Sequence, residues 1–549
     1  MGSLAALPSV AESPPRVLAV EGDLVPDRPD GLVYDSFVQL SSLSDEGVVV
    51  YEQDFFLFVD RPGEGPRVLL ERGDTQRFRN RPGVLEYRNF RFPQFARSGG
   101  FATRAGLFNL GTGTGNDQAI VYDPNDGTLP TLVAWEGQPA HDAPGRSYTA
   151  LWPFRTPVHT GTYGRSVADG SIVGYTGSFS RGRGVYRWED GDTTKIAATD
   201  DPVPGMPTGT VFGVNMPYEV SMSTRGDFAF IAPVDNPDLD ADAAVMAYSS
   251  STGLSTLAYE GLVVPGHPDG LVYDAFSERG FVSVNSSGDV AFAAGLSGTN
   301  AVVTVIDGAT SVAAIEGGPV PGVPGAVFAT LSGELVLLSA DNSVVFAASI
   351  TDATGTRAAL CRVDSSEVAE VVVAIGDAAP GFPTGFTLAG FTVRNPVITE
   401  SGRLAFRGEA TNGSVTVSCV YAYDPTLGVR LAAFESQVLD MNTGPFGPAD
   451  PRPIGELGFF DDYLINDAGR VALELTFAGS GQRRAIASFD PFRCTIGDIA
   501  EPYDQLDLSD IDAFIVSFLA GTGDLVRPFG MVDMADVDAF INGYLAGCP

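Results

Sequence analysis

The sequence has few of the residues that carry common catalytic chemistry. Its 549 residues include only four cysteines, three histidines and a single lysine, Lys195. The histidines, His141, His159 and His267, are not spaced as a metal-binding pair, and there is no HExxH, GxSxG or Walker motif. The composition therefore argues against zinc hydrolysis, Ser-His hydrolysis and nucleotide chemistry.

Positive charge is also scarce. The chain has 33 basic and 68 acidic residues, for a formal net charge of −35. Such a field repels nucleic-acid phosphates and anionic lipid headgroups, and it favours cations. No run of about 18 apolar residues occurs, so the sequence predicts no membrane span. Neither nucleic acid nor a bilayer is an expected partner.

The first 15 residues differ from the rest of the chain. They lack the basic start and full apolar stretch of a signal peptide, but Ser9-Val10-Ala11 has the small-x-small pattern of a cleavage site. We interpret residues 1–15 as a leader remnant, with a disordered tail as the alternative. The leader interpretation predicts a secreted or cell-surface protein.

Internal repetition dominates residues 16–492. The segment Val25 to Phe37 matches Val264 to Phe276 at ten of thirteen positions, and 65 glycines and 38 prolines indicate many tight turns. Along the same region a turn recurs, with a small polar residue at its first position and Gly or Asn at its fourth. Eight such turns end at Gly47, Gly99, Gly170, Gly226, Gly288, Asn342, Gly402 and Gly469.

Each turn belongs to a unit of four predicted strands. These are an aromatic strand, an apolar strand, a strand ending in Asp and a strand ending in Glu-Gly. Units that recur at steps of 52 to 71 residues without intervening helices predict an all-β, eight-bladed β-propeller. The eighth unit lacks its Glu-Gly strand, and residues 16–22 supply a spare one. We therefore expect the N-terminal strand to close the ring by pairing with Arg484 to Asp490.

Residues 493–549 have helical periodicity instead. Asp507 to Gly521 and Asp533 to Gly547 match at nine of fifteen positions, with apolar residues at i, i+3, i+4, i+7 and i+8. Cys494 and Cys548 flank this segment, so we predict a disulfide between them. Cys361 and Cys419 occupy equivalent strands of neighbouring units, and we predict that both are buried free thiols.

Both regions resemble known families. The propeller units resemble extracellular bacterial tandem-repeat proteins named for an Asn-x-x-Gly-x-x-Ala-Phe motif, matched best at Asn285 to Phe292. The terminal segment resembles a cysteine-bounded variant of the dockerins, small α-helical domains, and it ends in Gly547-Cys548-Pro549. The dockerin resemblance implies two calcium loops and a partner module that binds the helix faces.

Calcium is the one cofactor that the sequence suggests. By the dockerin resemblance, the ligand positions are Asp498, Asp507 and Asp510 in the first loop and Asp524, Asp533 and Asp536 in the second. Each loop is one residue longer than the twelve of an EF-hand, so the alternative is that these aspartates cap helices. A run in the fourth unit, Asp238, Asp240 and Asp242, is a further candidate, with a solvated acidic loop as its alternative.

Two functions are consistent with these features. The first is a non-catalytic extracellular binding or scaffold protein, a monomer, attached to a partner protein or the cell envelope through residues 493–549. The second is a carbohydrate-active enzyme, a glycosidase or lyase, that binds a glycan and uses carboxylates at the channel mouth. Its candidate acids are Asp30 and Asp35 in the first unit and Asp269 and Asp274 in the fifth. We prefer the first, because these acids follow the repeat rather than break it.

Overall fold

The structure is a computed structural model of the full chain. It describes residues 15–492 and, beyond them, residues 508–519, 537 and 540–541. Within 15–492 it leaves out 26–27, 29–30, 35–38, 45, 54–55, 62–64, 97–99, 109–117, 154–166, 169–170, 218, 237–240, 267–269, 277–281, 321–322, 367, 442–449, 459–462 and 480–482.

The strands form eight antiparallel sheets, so the chain is an eight-bladed β-propeller, as the repeat predicts. It begins with β1 (Arg16–Val20). Blade 1 contains β2 (Gln39–Leu43), β3 (Val49–Gln53), β4 (Phe56–Arg61) and β5 (Gly65–Glu71). Blade 2 contains β6 (Thr75–Phe78), β7 (Arg81–Phe95), β8 (Phe101–Phe108), β9 (Gln118–Asp123) and β10 (Thr131–Trp135).

The next three blades have the same order. Blade 3 contains β11 (Ala150–Pro153), β12 (Val167–Ala168), β13 (Ile172–Phe179), β14 (Gly182–Glu189) and β15 (Asp192–Ala198). Blade 4 contains β16 (Val211–Phe212), β17 (Glu219–Met222), β18 (Phe228–Asp235), β19 (Ala243–Ser249) and β20 (Gly253–Tyr259). Blade 5 contains β21 (Tyr273–Ala275), β22 (Val282–Val284), β23 (Val290–Leu296), β24 (Thr299–Ile306) and β25 (Ala309–Ile315).

Three more blades complete the repeat. Blade 6 contains β26 (Val327–Leu338), β27 (Val344–Asp352), β28 (Gly355–Val363) and β29 (Ala369–Ala374). Blade 7 contains β30 (Thr387–Ile398), β31 (Leu404–Thr411), β32 (Thr416–Asp424) and β33 (Gly428–Phe434). Blade 8 contains β34 (Val438–Asp440), β35 (Pro451–Leu457), β36 (Tyr463–Ile465), β37 (Val471–Phe477) and β38 (Arg484–Phe489), and β1 pairs with β38.

The blades fall into two compact units. One comprises residues 1–69, 375–392 and 403–549, which hold blades 1, 7 and 8; the other comprises residues 70–374 and 393–402, which hold blades 2 to 6. The ends of β5 and β30 cross this division. In the second unit, Ile231 and Val245 of blade 4 share one buried cluster with Phe292 and Val303 of blade 5, so neighbouring sheets pack face to face.

The repeated turn has the predicted chemistry. In blade 5, the Asn285 side-chain oxygen accepts hydrogen bonds from the backbone N–H groups of Ser287 (2.9 Å) and Asp289 (3.0 Å). The fourth residue, Gly288, has a φ of +85°, and Asn342 takes the same place in blade 6 with a φ of +63°. The turns ending at Gly47, Gly226, Gly402 and Gly469 share this conformation, and those at Gly99 and Gly170 lie outside the described residues.

The innermost part of the sheets differs in two ways from the predicted pattern of four continuous strands per unit. The innermost strand is split into two short strands in four blades, as β16 and β17 in blade 4, because its pairing with the second strand is interrupted. Blades 2 and 8 each gain an additional strand, β6 and β34, at the inner edge of the sheet. The four-strand pattern is therefore a simplification of the inner edge.

The N-terminal strand completes blade 8. Strand β1 is antiparallel to β38, with Arg16 opposite Ser488 and Val20 opposite Ala485. Its residues 17–20 are all buried. The prediction that residues 16–22 pair with Arg484 to Asp490 is confirmed, and this pairing covers an edge that would otherwise expose unpaired backbone groups.

One helix is described in the terminal segment, α1 (Leu508–Leu519), and residues 537 and 540–541 are also helical. Phe514 and its counterpart 26 residues later, Phe540, stack with ring centroids 4.2 Å apart and planes 4° from parallel. These equivalent residues of the two sequence copies are therefore in direct contact. None of the described helices is long and apolar enough to cross a membrane.

Candidate functional site

Of the four carboxylates proposed at the channel mouth, the structure describes only Asp274. Its side chain is exposed, and its Oδ2 accepts a hydrogen bond from the backbone N–H of Gly298 in the turn between β23 and β24. Asp30, Asp35 and Asp269 lie outside the described residues. Asp274 therefore holds a turn of its own blade, and its position relative to the other three acids stays a prediction.

The tyrosines of the duplicated segment are buried. Tyr34 and Tyr273 are 2% and 0% exposed, and each exchanges two backbone hydrogen bonds with the turn that precedes its strand. Phe212 and Phe328 make the same pair of bonds in blades 4 and 6. These rings are thus repeated core residues, and burial raises the pKa of Tyr273 to about 12.

The recurring Glu-Gly glutamates have a structural role. Their carboxylates accept backbone hydrogen bonds from the third strand of the same sheet: Glu21 from Arg484 (3.1 Å), Glu136 from Gln118 (3.3 Å), Glu260 from Asp242 (2.6 Å) and Glu316 from Asn300 (3.3 Å). Because the Glu recurs with the same bond in four blades, it joins the end of one strand to the start of another.

The hydrogen bonds to the Glu316 carboxylate change its pKa. Burial acts to raise its pKa, but hydrogen bonds from the Asn300 amide (2.9 Å) and the backbone N–H of Leu331 (2.9 Å) outweigh it and hold the pKa below its usual range. A carboxyl group in this state stays ionised and does not supply a proton. Glu316 therefore lacks the property expected of a general acid.

The predicted calcium ligands lie almost entirely outside the described residues. This holds for Asp498, Asp507, Asp524, Asp533 and Asp536 in the terminal segment and for Asp238 and Asp240 in blade 4. Asp510 belongs to α1, without a described side chain, and Asp242 is exposed. In the part of the chain that the structure describes, no three His, Cys, Asp or Glu side chains gather closely enough to hold a metal ion.

Two of the four cysteines lie in the described residues, and two do not. Cys361 in β28 and Cys419 in β32 are buried free thiols, as predicted. Burial raises the pKa of each to about 12, which suppresses the reactive thiolate. Cys494 and Cys548 lie outside the described residues, so their disulfide remains a prediction.

The loop before the innermost strand is unusual in blade 2. In blades 1 and 5 this loop carries the Pro-Gly-rich segment, whereas in blade 2 it forms a hairpin of β6 and the first half of β7. We call residues 72–88 the arginine hairpin. Its backbone anchors match the other blades, because Gly73 donates to the Tyr87 carbonyl as Gly22 does to that of Tyr34. The hairpin thus replaces a repeated loop with a different structure.

Arginine is concentrated around this hairpin. Residues 72–104 contain eight of the 33 basic residues of the chain and only two acidic residues, Asp74 and Glu86. The described arginines of the hairpin differ in exposure: Arg72, Arg77 and Arg79 are exposed, and Arg81 and Arg88 are partly buried. A count of arginines in a 33-residue window would have found this site, but a search for repeated motifs passes over a segment that breaks the repeat.

A second cluster of charges lies where blade 8 meets blade 1. Arg16 of β1 reaches Asp60 of β4 with an Nη2 to Oδ1 distance of 3.1 Å, and Asp60 is 1% exposed. Burial raises the pKa of Asp60 to about 6, although the Arg16 charge acts to lower it. The Tyr34 and Tyr51 hydroxyls, 3.4 Å apart, lie in the same region. This cluster holds the N-terminal strand against blade 1.

Comparison with known proteins identifies a family. A model described as "Family of unknown function (DUF7453)" matches residues 16–303, 95–422 and 300–482. The chain belongs to this family. The three matches overlap and together cover residues 16–482, as expected when one model aligns with a repeated sequence at several offsets. No curated protein matches the chain.

Several solved structures are similar to this family member at low sequence identity and low TM-score. Polysaccharide lyase Uly1 is 11% identical over 64% of this chain and 94% of its own, with a TM-score of 0.28. A post-proline cleaving enzyme from Rickettsia typhi is 10% identical over 71% of this chain and 50% of its own, with a TM-score of 0.31. An exo-beta-1,3-galactanase from Phanerochaete chrysosporium is 10% identical over 62% and 95%, with a TM-score of 0.24. Similarities this low carry no argument about function.

Proposed function

We propose that this chain is a non-catalytic extracellular binding or scaffold protein. In this proposal the propeller presents a rigid surface, and residues 493–549 attach it to a partner protein or to the cell envelope. The observation that carries the proposal is the use of the repeated acids: Glu21, Glu136, Glu260 and Glu316 bind backbone amides, and so does Asp274. Carboxylates engaged in this way support strands and turns rather than a reaction.

The described residues of the terminal segment support the attachment part of the proposal. Phe514 and Phe540 are buried against each other, and the residues that follow them, Ile515 and Ile541, are 48% and 46% exposed. The two sequence copies thus present the same apolar residue to a similar extent. Leu519 on α1 is 80% exposed and adds to this apolar surface. Exposed apolar residues at matching positions of the two sequence copies fit a protein-binding surface.

Attachment is tested with the full chain and an envelope fraction from the producing cells. We expect capture by the wild type, retained capture by I515D or I541D alone, and loss of capture by the double variant, because either copy can dock. V214D is the matched control, since Val214 is 61% exposed on the propeller. Equal loss in V214D, or full capture by the double variant, would contradict attachment through these helices.

The binding part is tested on a glycan array with product analysis of every ligand that binds. The proposal expects ligands that the chain binds and leaves uncleaved. Cleavage that is lost in D274N would instead support the carbohydrate-active enzyme with acids at the channel mouth. Because the Asp274 carboxylate accepts the Gly298 N–H, a thermal melt of D274N must accompany the assay. This control separates loss of fold from loss of activity.

A further inference from the structure

We propose that the arginine hairpin binds an acidic polysaccharide, a polymer that carries carboxylate or sulfate groups at wide spacing. The inference rests on the proposed binding function and names its ligand class and its site. Three observations carry it: the hairpin is rigidly held, it presents arginines on its exposed face, and aromatic rings orient two further arginines that are partly buried.

The hairpin is anchored to its own blade at several points. Phe78 is 4% exposed and belongs to the core of blade 2. The Asn80 side chain donates to the Leu132 carbonyl (2.8 Å) and accepts from the Leu132 N–H (3.1 Å), which mimics strand pairing with β10. The backbone N–H of Arg79 donates to the Pro130 carbonyl (2.9 Å). A site held in this way loses little conformational entropy when it binds a ligand.

The strand alternation separates the two faces of the hairpin. Gln76 lies opposite Leu85, and this face continues into the buried Phe78. Arg77 lies opposite Val84 on the other face, where Arg77 is exposed and Val84 is 45% exposed. Because side chains alternate along a strand, Phe78 and Leu85 face the core while Arg77 faces outward together with Val84. The guanidinium of Arg79 also reaches the Thr128 hydroxyl (3.1 Å), which fixes the charge near the tip.

Aromatic rings lie beside the partly buried arginines. The Arg81 guanidinium carbon is 5.4 Å from the centroid of Trp135, and that of Arg88 is 3.2 Å from the centroid of Phe108, which is 40% exposed. A ring beside a planar guanidinium attracts the cation and fixes its orientation, which holds positive charge next to the exposed arginines of the hairpin. Guanidinium groups suit carboxylate and sulfate anions because they donate two parallel hydrogen bonds.

The charge of the whole chain selects among anionic ligands. A net charge of −35 opposes dense polyanions, and nucleic acid carries one charge per ~1.7 Å of duplex. It also opposes a second copy of the chain. A polysaccharide with at most one charge on each sugar meets less repulsion, because charges beyond the Debye length of ~8 Å are screened at physiological salt. A sparse polyanion can therefore bind the hairpin locally.

The test uses the full chain and three polymers with one backbone: dextran, carboxymethyl dextran and dextran sulfate, the two charged polymers being prepared with at most about one charged group on each sugar. Double-stranded DNA of similar length is the fourth probe. We expect binding to one or both charged dextrans, weakening as salt rises, and none to dextran. R77E/R79E should weaken this binding by about tenfold or more, and R77Q/R79Q by less. The matched control is R181E/R183E, an equal charge change at two exposed arginines of the β13–β14 turn.

Several outcomes would overturn the inference: no binding to either charged dextran, tighter binding to DNA, unchanged binding by R77E/R79E, or equal losses in R181E/R183E. A salt-sensitive dimer broken by R77E/R79E would assign the hairpin to a second copy instead. Circular dichroism and thermal melts confirm that each variant is folded. Binding of a neutral glycan that ignores the hairpin variants would leave the proposed function standing and remove only this inference, whereas cleavage of a glycan would remove the proposed function.

Discussion

The side-chain amide of Asn466 donates a 2.7 Å hydrogen bond to the backbone carbonyl of Ser44, which lies 422 residues earlier in the chain. Asn466 is the first residue of the turn in blade 8, and Ser44 is the first residue of the turn in blade 1. The same bond recurs within blades 5 and 6, where Asn285 donates to the Ser339 carbonyl at 3.0 Å. The repeated Asn therefore has two roles: its oxygen shapes its own turn, and its amide holds the turn of the next blade.

Two substitutions of Asn466 should distinguish the contribution of its amide from that of its side-chain oxygen. N466A removes the amide of a residue that is 3% exposed and leaves the Ser44 carbonyl without it, so we expect a loss of ~1–3 kcal/mol in the free energy of unfolding. N466S should lose less, because a serine in this position, such as Ser223, still accepts the N–H of the fifth turn residue at 3.1 Å. Urea denaturation followed by tryptophan fluorescence measures both.

N412A is the matched control, since the Asn412 side chain bonds only the backbone of its own turn in the contacts that we describe. Equal losses for N466A and N412A would contradict a bond between blades that adds to stability.

The Arg16–Asp60 pair should make stability depend on pH. The pKa of Asp60 is raised from 3.8 to about 6, so the folded state holds this proton more tightly than the unfolded chain. The stability that protonated Asp60 contributes is fully present below pH ~4 and is lost as the pH rises to about 6. The free energy of unfolding should fall by about 1.4 kcal/mol per pH unit, or ~3 kcal/mol in all. D60N has no such proton, so its stability relative to the wild type should rise between pH 4 and 7.

Denaturation midpoints of both proteins across this range give the difference, which cancels the titration of the other groups. R16Q supplies the opposite change: without the Arg16 charge, ionised Asp60 is stabilised less, so its pKa rises further and the loss of stability should continue to a higher pH and be larger in total. A constant difference between D60N and the wild type from pH 4 to 7 would show that Asp60 titrates normally.

Removal of the N-terminal strand should destabilise blade 8 and promote aggregation. Deletion of residues 1–22 takes away the buried Val17, Leu18 and Val20 and exposes the edge of β38. Burial of such side chains is worth ~1.5–3 kcal/mol each, so the loss should be several kcal/mol. Light scattering and thermal melts measure the effect. A peptide of residues 15–23 added in trans should partly restore the melting temperature, and a scrambled peptide should not; recovery with both would contradict specific pairing.

Thiol counting tests the cysteine assignments. In the folded, unreduced protein, Cys361 and Cys419 should resist labelling at pH 8, because burial raises their pKa to about 12 and blocks access. Unfolding without a reductant should expose two thiols, since we predict that Cys494 and Cys548 are joined. Labelling after reduction should then count four. Four reactive thiols before reduction would exclude the disulfide.

Much of the fold is predictable from short stretches of sequence. A turn such as Asn285 to Gly288 is specified by its own residues, because an Asn side chain caps the turn and a Gly tolerates positive φ. Strand alternation is equally local, so the number of units and the missing last strand can be counted along the chain. The pairing of β1 with β38 followed from that count, although the two strands are more than 460 residues apart.

The candidate site could not be predicted in this way. Whether Asp274 performs chemistry or holds a turn depends on its distance from Gly298, and whether Asp60 is buried depends on where blade 8 places Arg16. The arginine hairpin is visible as a composition, but its outward face depends on the bonds between Asn80 and Leu132, 52 residues later. By itself, the sequence determined the repeat, its count and its closing strand, because these depend on neighbouring residues. Only the tertiary structure decided which charges are buried and which face outward, because that depends on how distant strands pack against one another.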